Sequence, residues 1–171
     1  MHHLIMKRLL FLDFDGVLHP DAVYRTRRGV ELRAEGKLFM WGPLLVEALD
    51  GLRDVSIVLS TSWVRNLGFQ RARKALPAQL HSQVIGATWH SAMSRSSTDY
   101  IAWDNQTRYQ QIAAYLARRA EPVSWLAIDD DAKGWANADR ERLILTAPHS
   151  GLADTDVMDE LIRKLGEPAF P

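Results

Sequence analysis

Three apolar runs in this chain each stop at acids or hydroxyls, and that repetition limits the possible fold more than any other feature. Leu9-Leu10-Phe11-Leu12 runs into Asp13-Phe14-Asp15-Gly16, and Val55-Ser56-Ile57-Val58-Leu59 runs into Ser60-Thr61-Ser62. Trp125-Leu126-Ala127-Ile128 runs into Asp129-Asp130-Asp131. A run this short and this apolar reads as a strand buried on both faces. Residues 83–88 and 143–146 are weaker strand candidates. Between the runs lie amphipathic stretches. Tyr109, Ile112, Ala113 and Leu116 share one helical face, as do Met158, Leu161, Ile162 and Leu165, with Thr155 expected as the N-cap of the latter. Leu44, Leu45, Ala48, Leu49 and Leu52 mark a further helix, with Pro43 near its start. Strands alternating with helices predict an α/β fold: a Rossmann-like parallel sheet flanked by helices on both faces. In such sheets ligands bind beyond the carboxyl ends of the strands, where the acids and hydroxyls of all three runs converge.

The 171 residues suit a single domain over 1–171, with no repeat and no linker long enough to divide it. Lys plus Arg and Asp plus Glu both total 21, so a protein that coats polyanions through its overall charge is excluded. The absence of cysteine removes disulfides, thiol nucleophiles and thiolate-bound zinc. No run approaches the length of a membrane span and the start is not a signal peptide, so the expectation is a cytoplasmic protein with no membrane partner.

One stretch departs from the alternation. Val23-Tyr24-Arg25-Thr26 and Lys37-Leu38-Phe39-Met40 read as short strands with Gly29 and Gly36 as turn positions between them, a hairpin-like flap at about 19–41. Its residues 22–37 carry five basic and two acidic side chains, +3. Residues 63–74 add Arg65, Arg71, Arg73 and Lys74 with no acid, +4. The aromatics Trp63, Phe69, Trp89 and Trp103 could stack on bases if exposed; the alternative is that they are core.

Asp13 and Asp15 fall on the same side of the chain by strand alternation, with Gly16 allowing a sharp turn directly after them. Two carboxylates so close call for a cation or a shared proton. Thr61, or its neighbour Ser60, ends the second strand, Arg108 opens a helix, and Asp129-Asp130 end a third strand 21 residues later. Each alone has a bland reading as a cap, a surface charge or a polar loop; their shared order and strand-end placement point to one site.

These segments resemble the motifs of the haloacid dehalogenase (HAD) superfamily. Phe11-Leu12-Asp13-Phe14-Asp15-Gly16-Val17-Leu18 is similar to motif I and Ile57-Val58-Leu59-Ser60-Thr61-Ser62 to motif II. Arg108 stands at the motif III cation, and Ile128-Asp129-Asp130 is similar to motif IV. Ser60-Thr61-Ser62-Trp63, the run 125–131 and Ser150-Gly151-Leu152 further resemble the HAD domain found in Swiss Army Knife RNA-repair proteins. The resemblance implies a HAD-like fold without a full cap domain, since neither interval between motifs is long enough to hold one. It implies Asp13 as nucleophile, forming an aspartyl-phosphate, and Asp15 as general acid and then base. It implies Mg²⁺ held by Asp13, the Asp15 carbonyl and Asp130, with Asp129 supporting, and phosphoryl oxygens held by Thr61 or Ser60 and by Arg108.

The expected activity is that of a Mg²⁺-dependent phosphomonoesterase. Its expected partner is a phosphorylated substrate, with the terminal phosphate of a nucleic acid as the preferred class. The alternatives are a phosphatase for a small metabolite or phosphoprotein, and a non-catalytic HAD-like binding module. Of the six histidines, His19 is the one expected near the site.

Overall fold

The structure is a computed structural model that describes residues 6–94 and 103–170. Five parallel strands form the central sheet: β1 (Lys7–Leu12), β4 (Val55–Leu59), β5 (Val84–Ala87), β6 (Val123–Asp129) and β7 (Leu143–Leu145), in the order β5-β4-β1-β6-β7. β1 is central, with Leu12 level with Leu59 on one side and Ile128 on the other. The acids and hydroxyls that follow these three residues therefore emerge side by side at the carboxyl ends of the central strands.

The unbroken apolar run of β1 is explained by burial on both faces. Leu10 and Leu12 face a core shared with Ile57, Leu59, Leu126 and Ile128. Leu9 and Phe11 point the other way, into a second core with Val58, Trp125 and Ala127. All four β1 residues are fully buried, each contributing roughly 1.5–3 kcal/mol by removal from water. The first face is covered by α1 (Gly42–Ala48), α2 (Ser62–Leu67), α3 (Phe69–Ala75) and α5 (Thr155–Leu165), which supply Leu45, Val64, Ala72 and Leu161. The second is covered by α4 (Arg108–Ala117) through Ile112, Tyr109, Tyr115 and Leu116, together with Trp135. Among the described residues no helix is long and apolar enough to cross a membrane.

Several local expectations need correction. The first flap strand, β2 (Val23–Thr26), pairs with β3 (Gly29–Leu32) and not with 37–40. Thr26 lies opposite Gly29, leaving Arg27 and Arg28 as a two-residue turn. The Thr26 hydroxyl accepts the Arg28 N–H and donates to the Gly29 carbonyl, which closes the turn locally. Residues 37–40 form a turn in which Phe39 takes a φ of 59°. α1 stops at Ala48, before the expected Leu49 and Leu52, and the chain then turns through Gly51 at φ 76°. At α5 the N-cap is Asp154, whose carboxylate accepts the Asp156 N–H, and Thr155 is the first helical residue. Trp63, Trp89 and Trp103 are buried and Phe69 half-buried, so the three tryptophans are core rather than an exposed stacking surface.

Candidate active site

Parallel pairing brings the site together. The Ser60 N–H donates to the Leu12 carbonyl, and the Asp13 N–H donates to the Ile128 carbonyl. Asp13, Ser60 and Asp129 are thus neighbours at the ends of three adjacent strands. Asp13, 4% exposed, accepts the Phe14 N–H on Oδ1 at 2.8 Å, and Asp129 accepts the Asp131 N–H on Oδ1 at 3.0 Å. Oxygens of Asp13, Asp129 and Asp130 all lie within 4.8 Å of one another.

Arg108 joins this group because the Thr107 side chain caps α4. Thr107 accepts the Gln110 N–H, while the Gln110 side chain accepts the Thr107 N–H. The cap aims the first helical residue at the strand ends. Arg108 Nη1 donates to the Ser60 carbonyl at 2.6 Å, Nε lies 3.1 Å from Asp129 Oδ2, and Nη2 lies 3.6 Å from Asp13 Oδ1. The planar guanidinium reaches three groups through three separate nitrogens, a spread that the single nitrogen of a lysine does not have.

Crowding has an electrostatic consequence. Burial, then repulsion from Asp129, drives the Asp13 carboxyl well above its ordinary value, against the pull of Arg108. Burial likewise raises Asp129 to about 7, again opposed by Arg108. Asp130 is raised by burial and by Asp21. For Arg108, burial acts to lower the pKa, but Asp13 and Asp129 outweigh it and the net direction is upward.

The open cleft above the strand ends encloses about 420 Å³ and is lined by Asp13, Asp15, Asp21, Ser62, Arg108, Asp130 and Asp131. Five carboxylates and one guanidinium give a formal lining charge of 1 − 5 = −4. An anionic phosphate would not enter such a cleft without a cation, and the hard oxygen donors of Asp13, Asp129 and Asp130 are the set that Mg²⁺ prefers.

A testable consequence follows for the protein without bound cation. In the unfolded chain Asp129 loses its proton near 3.8, whereas in the folded protein it keeps it to about pH 7. The folded state holds the extra proton between these values, so stability falls as pH rises through that window. A divalent cation held by these carboxylates would replace the proton and remove the penalty. The rise in thermal midpoint when Mg²⁺ replaces EDTA is therefore expected to be larger at pH 8 than at pH 5.5. Equal shifts, or none, in scanning fluorimetry would contradict cation binding by these carboxylates.

Asp15 also lines this cleft, and it borders a second space of about 190 Å³ formed by Val23, Arg25 and Val30 of the hairpin with Ser62, Trp63, Asn66 and Leu67 of α2. Its Oδ1 accepts two N–H bonds, one from Trp63 Nε1 and one with His19 Nε2, each 2.8 Å. His19, the histidine expected near the site, is there and is wholly buried.

The two motif II candidates are both buried, at 1% exposure each. The Thr61 hydroxyl caps α2 by accepting the Trp63 N–H at 3.2 Å, which leaves its own proton to donate. Among the described residues Ser60 Oγ has no hydrogen-bond partner, and neither hydroxyl is among the groups lining the cleft. Ser62 lines it instead, and sequence reading did not single Ser62 out. Trp63, read from the sequence as a core or base-stacking aromatic, gives its indole N–H to Asp15 instead; the signal lay in its place in the Ser60-Thr61-Ser62-Trp63 segment.

Gly16 is fixed by the site. Its φ is +80°, and a Cβ there would stand 2.3 Å from Asp130 Oδ2. The adjoining Thr146 hydroxyl donates to the Gly16 carbonyl at 2.7 Å.

Residues 9–157 match the family model described as the HAD domain in Swiss Army Knife RNA repair proteins. No curated protein and no solved structure matches the chain.

Proposed function

Because the chain belongs to the family of HAD domains found in Swiss Army Knife RNA-repair proteins, we propose that it is a Mg²⁺-dependent phosphomonoesterase that hydrolyses terminal phosphates of polynucleotides. A phosphohydrolase-type function follows from the family; the metal, the intermediate and the substrate are our reading. One observation carries it: a buried carboxylate, Asp13, lies at the floor of an open polar cleft beside Arg108, Asp129 and Asp130.

Asp13 attacks phosphorus, and Asp15 gives its proton to the leaving oxygen as the P–O bond breaks. Asp15 then takes a proton from the water that cleaves the aspartyl-phosphate, releasing phosphate and restoring both carboxyl groups. Arg108 and the hydroxyl of Thr61 or Ser60 hold the phosphoryl oxygens. Bringing a phosphate anion within about 4 Å of the Asp13 carboxylate costs about 4 kcal/mol at an effective dielectric near 20, or roughly three decades in rate. Mg²⁺ bound by Asp13, the Asp15 carbonyl and Asp130, with Asp129 supporting, would supply the compensating positive charge. Asp15 stands where the cleft meets the hairpin, so the leaving group lies against Arg25 and Val30 of the flap. Arg27 and Arg28 are exposed at the hairpin turn. A phosphodiester chain running out past the flap would meet these charges. Part of the basic run at 63–74 serves the fold: Arg65 pairs with Asp104 and Arg73 donates to the His81 carbonyl.

Phosphate release from 4-nitrophenyl phosphate and from 3′- and 5′-phosphorylated oligonucleotides, with Mg²⁺ or EDTA, tests the reading. Mg²⁺-dependent release with a preference for an oligonucleotide is expected. Release from none of them overturns the phosphatase reading, and release from the aryl ester alone overturns the polynucleotide assignment.

A further inference from the structure

We propose that His19 and Trp63 are positioning residues for Asp15, acting as a two-donor clamp that leaves one chosen carboxylate oxygen to face the leaving group. The proposal rests on the reading of Asp15 as the general acid. It is carried by the hydrogen bonds around a single buried ring. The Phe39 backbone N–H lies 3.1 Å from His19 Nδ1. An amide N–H only donates, so Nδ1 must be the acceptor and the proton of the neutral imidazole resides on Nε2. Nε2 therefore donates to Asp15 Oδ1, 2.8 Å away. Trp63 Nε1, a donor by constitution, lies 2.8 Å from the same oxygen.

Both donors choose Oδ1. No described residue bonds Oδ2, so Oδ2 is the oxygen left to carry the proton that passes to the leaving group as the P–O bond breaks. The clamp is rigid for reasons visible in the packing. The His19 carbonyl accepts the Gly16 N–H at 2.9 Å, which fixes the backbone across the motif I turn. The His19 ring packs edge-on against Phe39, with centroids 4.8 Å apart, and 5.8 Å from Trp63. Phe14 and Phe39 complete the box, each ring centroid within 5.7 Å of the Trp63 ring. Phe39 itself is held in the left-handed region, a conformation that costs a non-glycine residue roughly 1 kcal/mol or more, so its place beside the ring is fixed by the surrounding packing. The foot of the flap thus selects the His19 tautomer, and the tautomer selects the proton-bearing oxygen of Asp15.

The leaving-group dependence of kcat/KM reads this clamp, because that ratio covers only the steps up to formation of the aspartyl-phosphate. A phosphate ester of 2,4-dinitrophenol leaves without a proton, whereas phenyl phosphate needs one. In His19→Leu and Trp63→Phe, phenyl phosphate is expected to lose about tenfold to 100-fold more than 2,4-dinitrophenyl phosphate, since a misplaced acid costs on this order. His19→Gln, which restores an N–H donor near the Nε2 position, is expected to recover at least part of that difference. Equal losses on both esters, or no loss, would overturn the proposal. Nitrogen-15 NMR of the wild-type ring gives a readout that needs no turnover: His19 should be a single neutral tautomer with its proton on Nε2. A protonated Nδ1 would also overturn it. Failure of wild type to hydrolyse either ester, with the expected tautomer present, would count against the phosphatase reading and leave the clamp geometry intact.

Discussion

Asp13→Asn is expected to lower turnover by at least about 10⁴-fold and, in the same protein, to raise the thermal midpoint in EDTA at pH 8. The amide retains an oxygen to accept the Phe14 N–H, so the local fold has no reason to change. It has no charged oxygen to attack phosphorus. The stability gain comes from the same carboxylate. Burial and the Asp129 charge both disfavour an ionised Asp13, and at pH 8 the folded protein without cation carries that cost. Removing the charge relieves it, by roughly 1–3 kcal/mol, while Arg108 keeps Asp129 as a partner. Phosphate-release kinetics and scanning fluorimetry on one preparation check both halves. An active variant would remove Asp13 as nucleophile, and a lowered midpoint would show that the cluster is not strained as its burial implies.

That coupling of function to instability was legible in the chain only in part. The spacing of Asp13 and Asp15 after an apolar run announced crowded carboxylates, and the recurrence of the pattern announced adjacent strand ends. In a parallel sheet the carboxyl ends of all strands lie on one side, so the order and strand-end placement of Asp13, Ser60 and Asp129, with Arg108 opening a helix, pointed to one site. The hairpin partner could not be read so easily. Lys37-Leu38-Phe39-Met40 is more apolar than Gly29-Val30-Glu31-Leu32, yet a two-residue turn closed by Thr26 and Gly29 decides the pairing. The tryptophans were ambiguous for a related reason: an aromatic beside basic residues reads equally as core or as a stacking surface until its burial is known. Trp63 is buried and still polar in function, because its indole N–H has the one acceptor it needs in Asp15.

The second large effect is expected at Arg108. Arg108→Met leaves Asp13 and Asp129 facing each other with no side-chain cation between them, and strips a donor from the Ser60 carbonyl. Breaking a buried ion pair by removing one member typically costs about 3–5 kcal/mol. That loss is expected in urea denaturation at pH 8 in EDTA, and it should shrink at pH 5.5, where Asp129, raised to about 7, holds its proton. Mg²⁺ should restore part of it. Turnover should not follow the same recovery: loss of an oriented charge at the phosphoryl oxygens costs about 10²–10³-fold even in a stable protein. Arg108→Lys separates the two effects. It keeps the charge but not the fork that spans Asp129, Asp13 and the Ser60 carbonyl, so it should regain more stability than activity. Equal stability of Arg108→Met and wild type at pH 8 would contradict the account given for the cluster.

The contact between Gly16 and Asp130 has a consequence for descent. The backbone of the first motif and the side chain of the fourth occupy adjoining space, with no room for even a methyl group at position 16 beside Asp130 Oδ2. The two positions are remote in the chain but form one steric unit. A lineage that gains a side chain at the first must move or lose the acid at the second, so the pair should be inherited, and abandoned, together.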